Sequence, residues 1–519
     1  MPASSRYLPL NYLGVQMKNI LEMLEHSAER FPDKYIFRDE KTDVTYSGFL
    51  NTSKSIGTAI AENGIFKKPI AVIAERSVIN LAAMFGVLYS GNFYTVIDSE
   101  MPPERVKAIF NTLKPAAAVV TEGCLSLLKK LNFTGSVISC EKALKYPADS
   151  GLLRKIREKM IDTDPAYTLF TSGSTGVPKG AVVSHKSVIS YVKWYSDTFK
   201  INENTVFGSQ TPFYFSMSVS DVFSTVYAGA QLNIIPKTLF SFPMNLLEFL
   251  NERKINTIYW VPSALCIIAN WKVLDYGELK YIKKVLFAGE VMPIKQLNYW
   301  LSKLPDAMFA NLFGPTETTD ICTYYIVDRK FGDGETLPIG KACDNCDVFV
   351  VKEDGKEAKT GEEGELYARG SFLAMGYYNN PEKTAAAFVQ NPLNHAYPET
   401  VYKTGDLVKY NENGELIYIS RIDFQIKHMG YRIELGEIEA AASALDAVSS
   451  CAAVYDGAED KIILVYDGKK RETTYIMSDL RVRLPEYMMP QKIIRVKAMP
   501  HNANGKIDRK WLTKNYKML

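Results

Sequence analysis

The chain of 519 residues is too long to fold around one hydrophobic core, so we expect at least two domains. A hydrophobic fraction of 47% excludes a disordered chain, and the near balance of 61 basic and 58 acidic residues argues against a nucleic acid or a membrane surface as the partner. Seven scattered cysteines, no apolar run approaching ~18 residues and no signal-peptide pattern at the start predict a cytoplasmic protein without a disulfide framework.

Strands alternate with helices along the first part of the chain. Residues 15–31 carry apolar side chains at helical spacing, which predicts an amphipathic helix. Residues 70–98 predict a strand, a helix and a second strand, and the same rhythm recurs at 117–121, 206–236 and 255–290. This alternation predicts parallel sheets that helices cover on both faces.

The pattern changes from about residue 347. Residues 347–370 and 407–423 contain Asp-Gly and Asn-Gly turns between strand-like runs, which predicts β-hairpins. A basic, glycine-containing loop, QIKHMGYR, and then a helix follow. We therefore expect an α/β protein with a core domain at 1–422, built from parallel-rich sheets, flanking helices and a β-rich subdomain, and a small mobile α+β lid domain at 423–519.

Residues 167–180, YTLFTSGSTGVPKG, place glycines, hydroxyls and a lysine directly after a strand-like segment. Glycines let backbone N–H groups turn towards an anion, the hydroxyls add donors, and Lys179 adds a cation. The run is not a Walker A loop, because Lys179 lies between a proline and a glycine. It predicts a phosphate cradle, and a flexible surface loop is the alternative.

Three further motifs carry chemistry of the same kind. NLFGPTE presents Glu317, whose carboxylate suits Mg²⁺, an ion that binds mainly through phosphates and few protein ligands. YKTGDL presents Asp406, which can accept from both hydroxyls of a ribose, and NGKIDRK presents Lys506 on a glycine turn. The alternatives are a helix N-terminal acid, a turn residue and a solvated charge. All four motifs together, in this order, favour a nucleotide site.

These motifs resemble those of the adenylate-forming superfamily, which comprises acyl-CoA synthetases, luciferases and the adenylation domains of nonribosomal peptide synthetases. LYSGNFYTVIDSEMPPERV, GELYARGSFLAMGYYNNPEKTAAAF and LPEYMMPQ also fit, so the resemblance extends from about residue 20 to 510. RIDFQIKHMGYR and NANGKIDRK are most similar to stand-alone D-alanine–carrier protein ligases. The resemblance implies two half-reactions, in which ATP activates a carboxylic acid as acyl-AMP and a thiol then displaces AMP.

The resemblance also implies a role for residues in each motif. Lys506 is expected to bridge the acid and the α-phosphate, where it stabilises the charge that builds up as two anions meet. Thr316 and Glu317 complete the expected catalytic set, with Glu317 on Mg²⁺, and Asp423 is the expected hinge. After pyrophosphate leaves, residues 427–430 are expected to replace Lys506 and to shape a thiol tunnel. The implied nucleotide-binding residues are Thr171, Ser172, Gly173, Ser174, Thr175, Gly176, Lys179, Asn311, Leu312, Phe313, Gly314, Pro315, Asp406, Tyr418 and Arg421.

The acid pocket departs from the pattern. Amino-acid-activating relatives carry an Asp for the α-ammonium where this chain has Ser216, and a buried ammonium without a carboxylate is costly. Asp320 stands at a usually apolar position, so it either binds a distal amine or hydroxyl of the substrate or faces solvent or caps a helix. We expect a hydroxy- or aminobenzoate or a β- or ω-amino acid, with D-alanine or another amino acid as the alternative. The implied pocket residues are Phe215, Ser216, Met217, Ser220, Tyr259, Leu286, Ala288, Leu312, Asp320 and Ile321.

Three functions follow from these expectations. The first is an ATP- and Mg²⁺-dependent ligase that loads a separate phosphopantetheinylated carrier protein, since the chain ends about ten residues after NGKIDRK. The second is an acyl-CoA synthetase that uses free coenzyme A. The third is a catalytically silent binding protein of the same fold, against which the intact motifs argue.

Overall fold

The computed structural model describes residues 17–173, 177–332, 334–423, 425–501 and 507–519. Its α-helices are α1 (Ile20–Arg30), α2 (Tyr46–Ala61), α3 (Val78–Tyr89), α4 (Pro103–Leu113), α5 (Leu125–Lys130), α6 (Cys140–Ala143), α7 (Ser150–Arg157), α8 (His185–Phe199), α9 (Met217–Ala228), α10 (Pro243–Glu252), α11 (Pro262–Asn270), α12 (Ile294–Lys303), α13 (Pro381–Ala387), α14 (Leu435–Ser443), α15 (Thr473–Arg481) and α16 (Arg509–Asn515). Short 3₁₀ turns, among them Thr316–Thr318, connect several of these elements.

The β-strands belong to five sheets. They are β1 (Tyr35–Arg38), β2 (Asp43–Thr45), β3 (Pro69–Ala74), β4 (Phe93–Asp98), β5 (Ala117–Val120), β6 (Ser136–Ser139), β7 (Pro165–Thr171), β8 (Lys179–Ser184), β9 (Val206–Ser209), β10 (Gln231–Ile234), β11 (Thr257–Trp260), β12 (Lys284–Ala288), β13 (Met308–Phe313), β14 (Thr323–Val327), β15 (Lys341–Ala342), β16 (Cys346–Val351), β17 (Glu363–Gly370), β18 (Phe388–Gln390), β19 (Thr400–Tyr410), β20 (Leu416–Arg421), β21 (Gln425–His428), β22 (Tyr431–Glu434), β23 (Val448–Asp456), β24 (Lys461–Gly468) and β25 (Lys492–Val496).

Two large sheets form the core. The six-stranded sheet has the order β6-β5-β3-β4-β7-β8 and is parallel except where β8 pairs antiparallel with β7. The nine-stranded sheet has the order β15-β14-β13-β12-β11-β9-β10-β1-β2 and is parallel from β13 to β1. The buried strand IAVIA, at 70–74, shows why these elements were predictable, because a strand covered on both faces is apolar throughout. The predicted parallel-rich α/β class is confirmed.

The carboxyl ends of β11, β12 and β13 meet at one edge of the nine-stranded sheet because these strands are parallel. The loop that follows β13 therefore lies beside the segment that follows β12. The antiparallel sheet of β16, β17, β18, β19 and β20 confirms both predicted hairpins and brings its β19–β20 ladder to this edge. These elements position the cavity described below.

The segment after residue 425 has its own hydrophobic clusters on the two faces of the sheet β23-β24-β25. One face packs against α14 and α15, and the other packs against α16. The division at 422 and 423 and the mobility of the lid stay predictions. The sequence QIKHMGYR was expected to be a loop, and that expectation was wrong. It forms the hairpin β21–β22, whose turn residues Met429 and Gly430 have φ values of 51° and 78°, as a type I′ turn requires.

Candidate active site

A narrow cavity of about 80 Å³ lies where the two large sheets meet the β21–β22 hairpin. A wider groove of about 1110 Å³ continues from it, and the two share Gly289, Arg421, Gln425 and Lys427. The predicted residues on the wall of the narrow cavity are Thr171, Ser172, Phe215, Ser216, Met217, Ala288, Gly314, Pro315, Thr316, Asp320, Ile321, Asp406 and Arg421. Those on the wall of the groove are Asn311, Leu312, Phe313, Tyr418, Arg421 and Asp423.

The predicted phosphate cradle connects β7 and β8 as a hairpin. Thr171 ends β7 and Lys179 begins β8. Ser172 is buried, and a Cβ at Gly173 would lie 2.1 Å from the carbonyl oxygen of Val177, so the turn accepts only glycine there. The predicted residues Ser174, Thr175 and Gly176 lie outside the described part of the chain.

Glu317 is fully buried in the 3₁₀ turn after β13. Its Oε1 accepts a hydrogen bond of 2.5 Å from the hydroxyl of Tyr377 and lies 3.5 Å from Nζ of Lys179. Its Oε2 lies 2.7 Å from NH1 of Arg432. Burial alone would raise the pKa of Glu317, but the charges of Arg432 and Lys179 outweigh it and hold that pKa well below its usual range. Glu317 is therefore a charged carboxylate inside the protein.

The carboxylate of Glu317 suits a Mg²⁺ ion that is bound mainly through phosphate oxygens. Among the described residues, no group of three or more His, Cys, Asp and Glu side chains could hold a metal ion. A single buried, ionised carboxylate beside a phosphate-type loop matches an ion that keeps few protein ligands and takes the rest from phosphate and water. Burial and the charge of Arg432 lower the pKa of Lys179 to about 8, so this second cation remains charged at neutral pH.

Asp406 and Arg421 face each other across the β19–β20 ladder. Nη1 of Arg421 lies 3.0 Å from Oδ1 of Asp406, close enough for an ion pair. That buried oxygen nevertheless accepts no hydrogen bond from any described residue. An unsatisfied buried acceptor is costly, and the two hydroxyls of a ribose would satisfy it. Arg421 also holds Asp423, the predicted hinge, at 2.6 Å. The ring of Tyr418 lies 5.9 Å from the ring of Phe313 on the wall of the groove.

Asp320 lies on the wall of the narrow cavity and is 1% exposed. Asp320 is buried, so the solvent-facing alternative is wrong, and its carboxylate accepts from side-chain hydroxyl groups, whereas a helix cap accepts from backbone N–H groups. Its Oδ2 accepts hydrogen bonds from Ser220 at 2.7 Å, Tyr259 at 3.1 Å and Tyr191 at 3.2 Å. Burial raises the pKa of Asp320 to about 6, although these hydroxyls oppose the shift.

Seven of the ten predicted pocket residues lie on the wall of the narrow cavity or of the groove. Ser220 and Tyr259 reach the cavity indirectly, through Asp320, whereas Leu286 is fully buried in β12 and lies on the wall of neither cavity. Sequence reasoning missed Tyr191, Tyr377 and Arg432. Tyr377 and Arg432 lie in motifs that the resemblance already covered, GELYARGSFLAMGYYNNPEKTAAAF and QIKHMGYR, whereas Tyr191 lies in none of them.

The β21–β22 hairpin already lies in the site. Nζ of Lys427 lies 4.5 Å from the ring centroid of Phe313, and the amide of Gly430 donates to Oε1 of Glu290 at 2.7 Å. Lys506 lies outside the described residues. Its neighbour Ile507 packs on one face of the β23-β24-β25 sheet, and α14 packs on the opposite face. The helix α14 contacts the core through a buried ion pair between Glu437 and Arg105.

Comparison with solved structures identifies the fold. The chain superposes on the crystal structure of the adenylation domain AlmE from Vibrio cholerae, in complex with glycyl-adenosine-5'-phosphate, with a TM-score of 0.82 and 21% identity over 98% of this chain and 99% of that one. The fold is therefore that of adenylation domains. The profile of the AMP-binding enzyme family matches residues 24–378, and the chain belongs to this family. The family predicted from the motifs is confirmed.

Two curated relatives frame the comparison. The chain is 30% identical over 515 residues to a D-alanine--D-alanyl carrier protein ligase of Lacticaseibacillus rhamnosus, covering 95% of this chain and 98% of that one. It is also 30% identical over 504 residues to tyrocidine synthase 1 of Brevibacillus parabrevis; the match covers 96% of this chain but spans only 45% of that longer protein. Within the described ranges, no helix is both long and apolar enough to cross a membrane.

Proposed function

We propose that the protein is an AMP-forming ligase that joins a small carboxylic acid to a thiol. In the first half-reaction a carboxylate oxygen attacks the α-phosphorus of ATP, the bond to pyrophosphate breaks, and acyl-AMP forms. In the second half-reaction the thiol sulfur attacks the acyl carbon, the bond to the AMP oxygen breaks, and the thiol proton passes to water. The supporting observation is the convergence of Ser172, Asp406 and Asp320 on one cavity.

Each part of this cavity suits one part of the reactants. The glycine turn at Gly173 and the cation of Lys179 suit the β- and γ-phosphates, and the unsatisfied oxygen of Asp406 suits the ribose. Bound Mg²⁺ supplies positive charge to the triphosphate, and Glu317 is the residue that would hold it. Lys506 is proposed to bring the acid and the α-phosphate together from the C-terminal segment.

The acceptor in this proposal is the phosphopantetheine thiol of a separate carrier protein. The relative from Lacticaseibacillus rhamnosus is a ligase for a carrier protein, and the chain covers nearly all of it. The β21–β22 hairpin borders both the cavity and the long groove through Gln425 and Lys427, a suitable route for an elongated thiol arm.

The acid is proposed to carry an amine far from its carboxylate, as in an aminobenzoate or a β- or ω-amino acid. Ser216, beside the cavity, offers no charge to an α-ammonium. Asp320 offers a buried carboxylate on the cavity wall, and the three hydroxyls that donate to its Oδ2 are neutral. A buried carboxylate without a cation is costly, so an ammonium group on the substrate would supply the missing partner.

Pyrophosphate exchange across amino, aryl and aliphatic acids tests this function. We expect exchange to be fastest with acids that carry a distal amine and to be lost in the Lys506→Ala variant. Loading of a phosphopantetheinylated carrier should exceed loading of free coenzyme A; the reverse result would indicate an acyl-CoA synthetase. Exchange with ordinary α-amino acids alone would overturn the substrate proposal, and ATP binding without any exchange would indicate a silent binding protein.

A further inference from the structure

Arg432 pairs with the carboxylate that the proposed function assigns to Mg²⁺. Arg432 lies in β22, 115 residues along the chain from Glu317, and its Nη1 lies 2.7 Å from the Oε2 of that carboxylate. We infer that Arg432 replaces Mg²⁺ as the counter-charge of Glu317 once pyrophosphate has left, an inference that rests on the proposed function. Arg432 thereby holds the β21–β22 hairpin in place for thiol transfer.

The backbone of the same strand covers the phosphate loop. The hydroxyl of Ser172 donates to the carbonyl oxygen of Arg432 at 2.5 Å and accepts from the amide of Glu434 at 3.3 Å. Glu437, in α14, forms a buried ion pair with Arg105 of the core. Ser172, whose hydroxyl would suit a phosphate oxygen, is thus bonded to the C-terminal segment, so the hairpin and pyrophosphate compete for one place.

Electrostatics makes the competition stronger than steric overlap alone. A buried carboxylate must keep a counter-charge, because removing one partner of a buried pair leaves an uncompensated charge. Arg432 and Lys179 supply that charge in the described arrangement, and the hydroxyl of Tyr377 donates a hydrogen bond to the same carboxylate. A divalent cation on Glu317 would repel the guanidinium, so each excludes the other, and the linkage between them is reciprocal.

This exchange gives the reaction an order. With Mg²⁺ and pyrophosphate bound, the carboxylate of Glu317 would be unavailable to Arg432, and the hairpin with Lys427 and Gly430 would stay out. After their release, Arg432 would pair with Glu317 as in the described arrangement. Arg432 is therefore a positioning residue for the second half-reaction and is not needed for the first.

Hydrogen–deuterium exchange of the full chain tests the competition directly. The amides of Gly430 and Glu434 donate across to the core, so peptides that span 428–436 should be protected in the free protein. Mg²⁺ with pyrophosphate should speed their exchange about tenfold or more, whereas pyrophosphate with a chelator should do so less. Arg432→Ala should exchange fast without any addition, and Arg432→Lys should lie between.

Kinetics of the two half-reactions separates positioning from general damage. In Arg432→Ala, pyrophosphate exchange should stay within about threefold, while single-turnover transfer from purified acyl-AMP to the thiol should fall about 10- to 100-fold, the range expected when one hydrogen bond to a charged group is lost. Arg432→Lys should restore part of the transfer. Arg481→Ala is the matched control, since Arg481 pairs with Glu486 at the surface of the same segment.

The inference is overturned if exchange and transfer fall together, or if neither Mg²⁺ with pyrophosphate nor the Arg432 variants change the exchange of 428–436. Protection of β3 in the same experiment shows that a variant is folded. If no acid supports pyrophosphate exchange, the proposed function fails, but the effect of Mg²⁺ and pyrophosphate on the hairpin still decides the role of Arg432.

Discussion

Asp320→Asn leaves a side chain of the same size on the wall of the narrow cavity and removes its charge. Burial raises the pKa of Asp320 from 3.8 to about 6, so the ionised carboxylate costs the folded protein about 3 kcal/mol at about 1.4 kcal/mol per pKa unit. The favourable contribution of this group is complete below pH 3.8 and is lost as the pH rises through 6. We therefore expect Asp320→Asn to raise the free energy of unfolding above pH 6 by up to about 3 kcal/mol.

The same charge should have the opposite effect on catalysis with an amine-bearing acid. The substrate ammonium would relieve the cost of ionised Asp320. Removal of the Asp320 carboxylate should therefore lower kcat/KM for that acid about 100-fold, the equivalent of about 3 kcal/mol. A neutral acid of the same shape, with a methyl group in place of the amine, should lose little or should react faster. In the wild-type protein, kcat/KM for the amine-bearing acid should fall as the pH drops below about 6.

Pyrophosphate exchange measures kcat/KM for the two acids, and urea titration at pH 5 and pH 8 measures stability. Tyr191→Phe is the matched control, because it removes one hydroxyl from Asp320 and leaves the carboxylate in place. An equal loss with both acids, or no gain in stability above pH 6, would refute the argument that Asp320 is an unpaired charge awaiting a substrate cation.

Lys506→Ala should abolish adenylate formation, measured by pyrophosphate exchange, while ATP binding, measured by calorimetry, stays largely intact; unchanged exchange would contradict its bridging role. Asp406→Asn should raise the KM for ATP about tenfold or more, because one hydrogen bond to a charged group is worth about 1.5–3 kcal/mol, and an unaltered KM would remove Asp406 from the ribose site. Gly430→Ala should slow thiol transfer and spare pyrophosphate exchange, since Gly430 has a φ of 78° and a Cβ there would lie 2.4 Å from Val261. Equal loss in both half-reactions would show that this turn acts in both.

Local chemistry explains what was predictable. The unit β3–α3–β4 follows from the hydrophobic pattern alone, because strands that are buried on both faces of a sheet must be apolar throughout. The motif around Glu317 and the departure at Ser216 are equally local, since each depends on a few adjacent residues. The fold class, the family and many of the residues on the cavity wall could be predicted from local features of this kind.

Local pattern also misled. QIKHMGYR has polar and basic residues that are typical of a loop, but backbone pairing between Gln425 and Glu434 makes it a hairpin. Leu286 aligned with a pocket position, but its side chain is buried in β12 and lies on the wall of neither cavity. Neither error could be corrected without the partners that each segment meets in space.

The sequence by itself determined that a glycine turn, a carboxylate for a metal and a carboxylate for a sugar occur in one α/β chain, because each property belongs to a short run of residues. Only the tertiary structure decided that Tyr191 and Asp320, 129 residues apart, share a hydrogen bond, and that Arg432 closes on Glu317. The physical reason is that the charge state and the partners of a buried group depend on which strands end at the same sheet edge and on which segment packs over that edge.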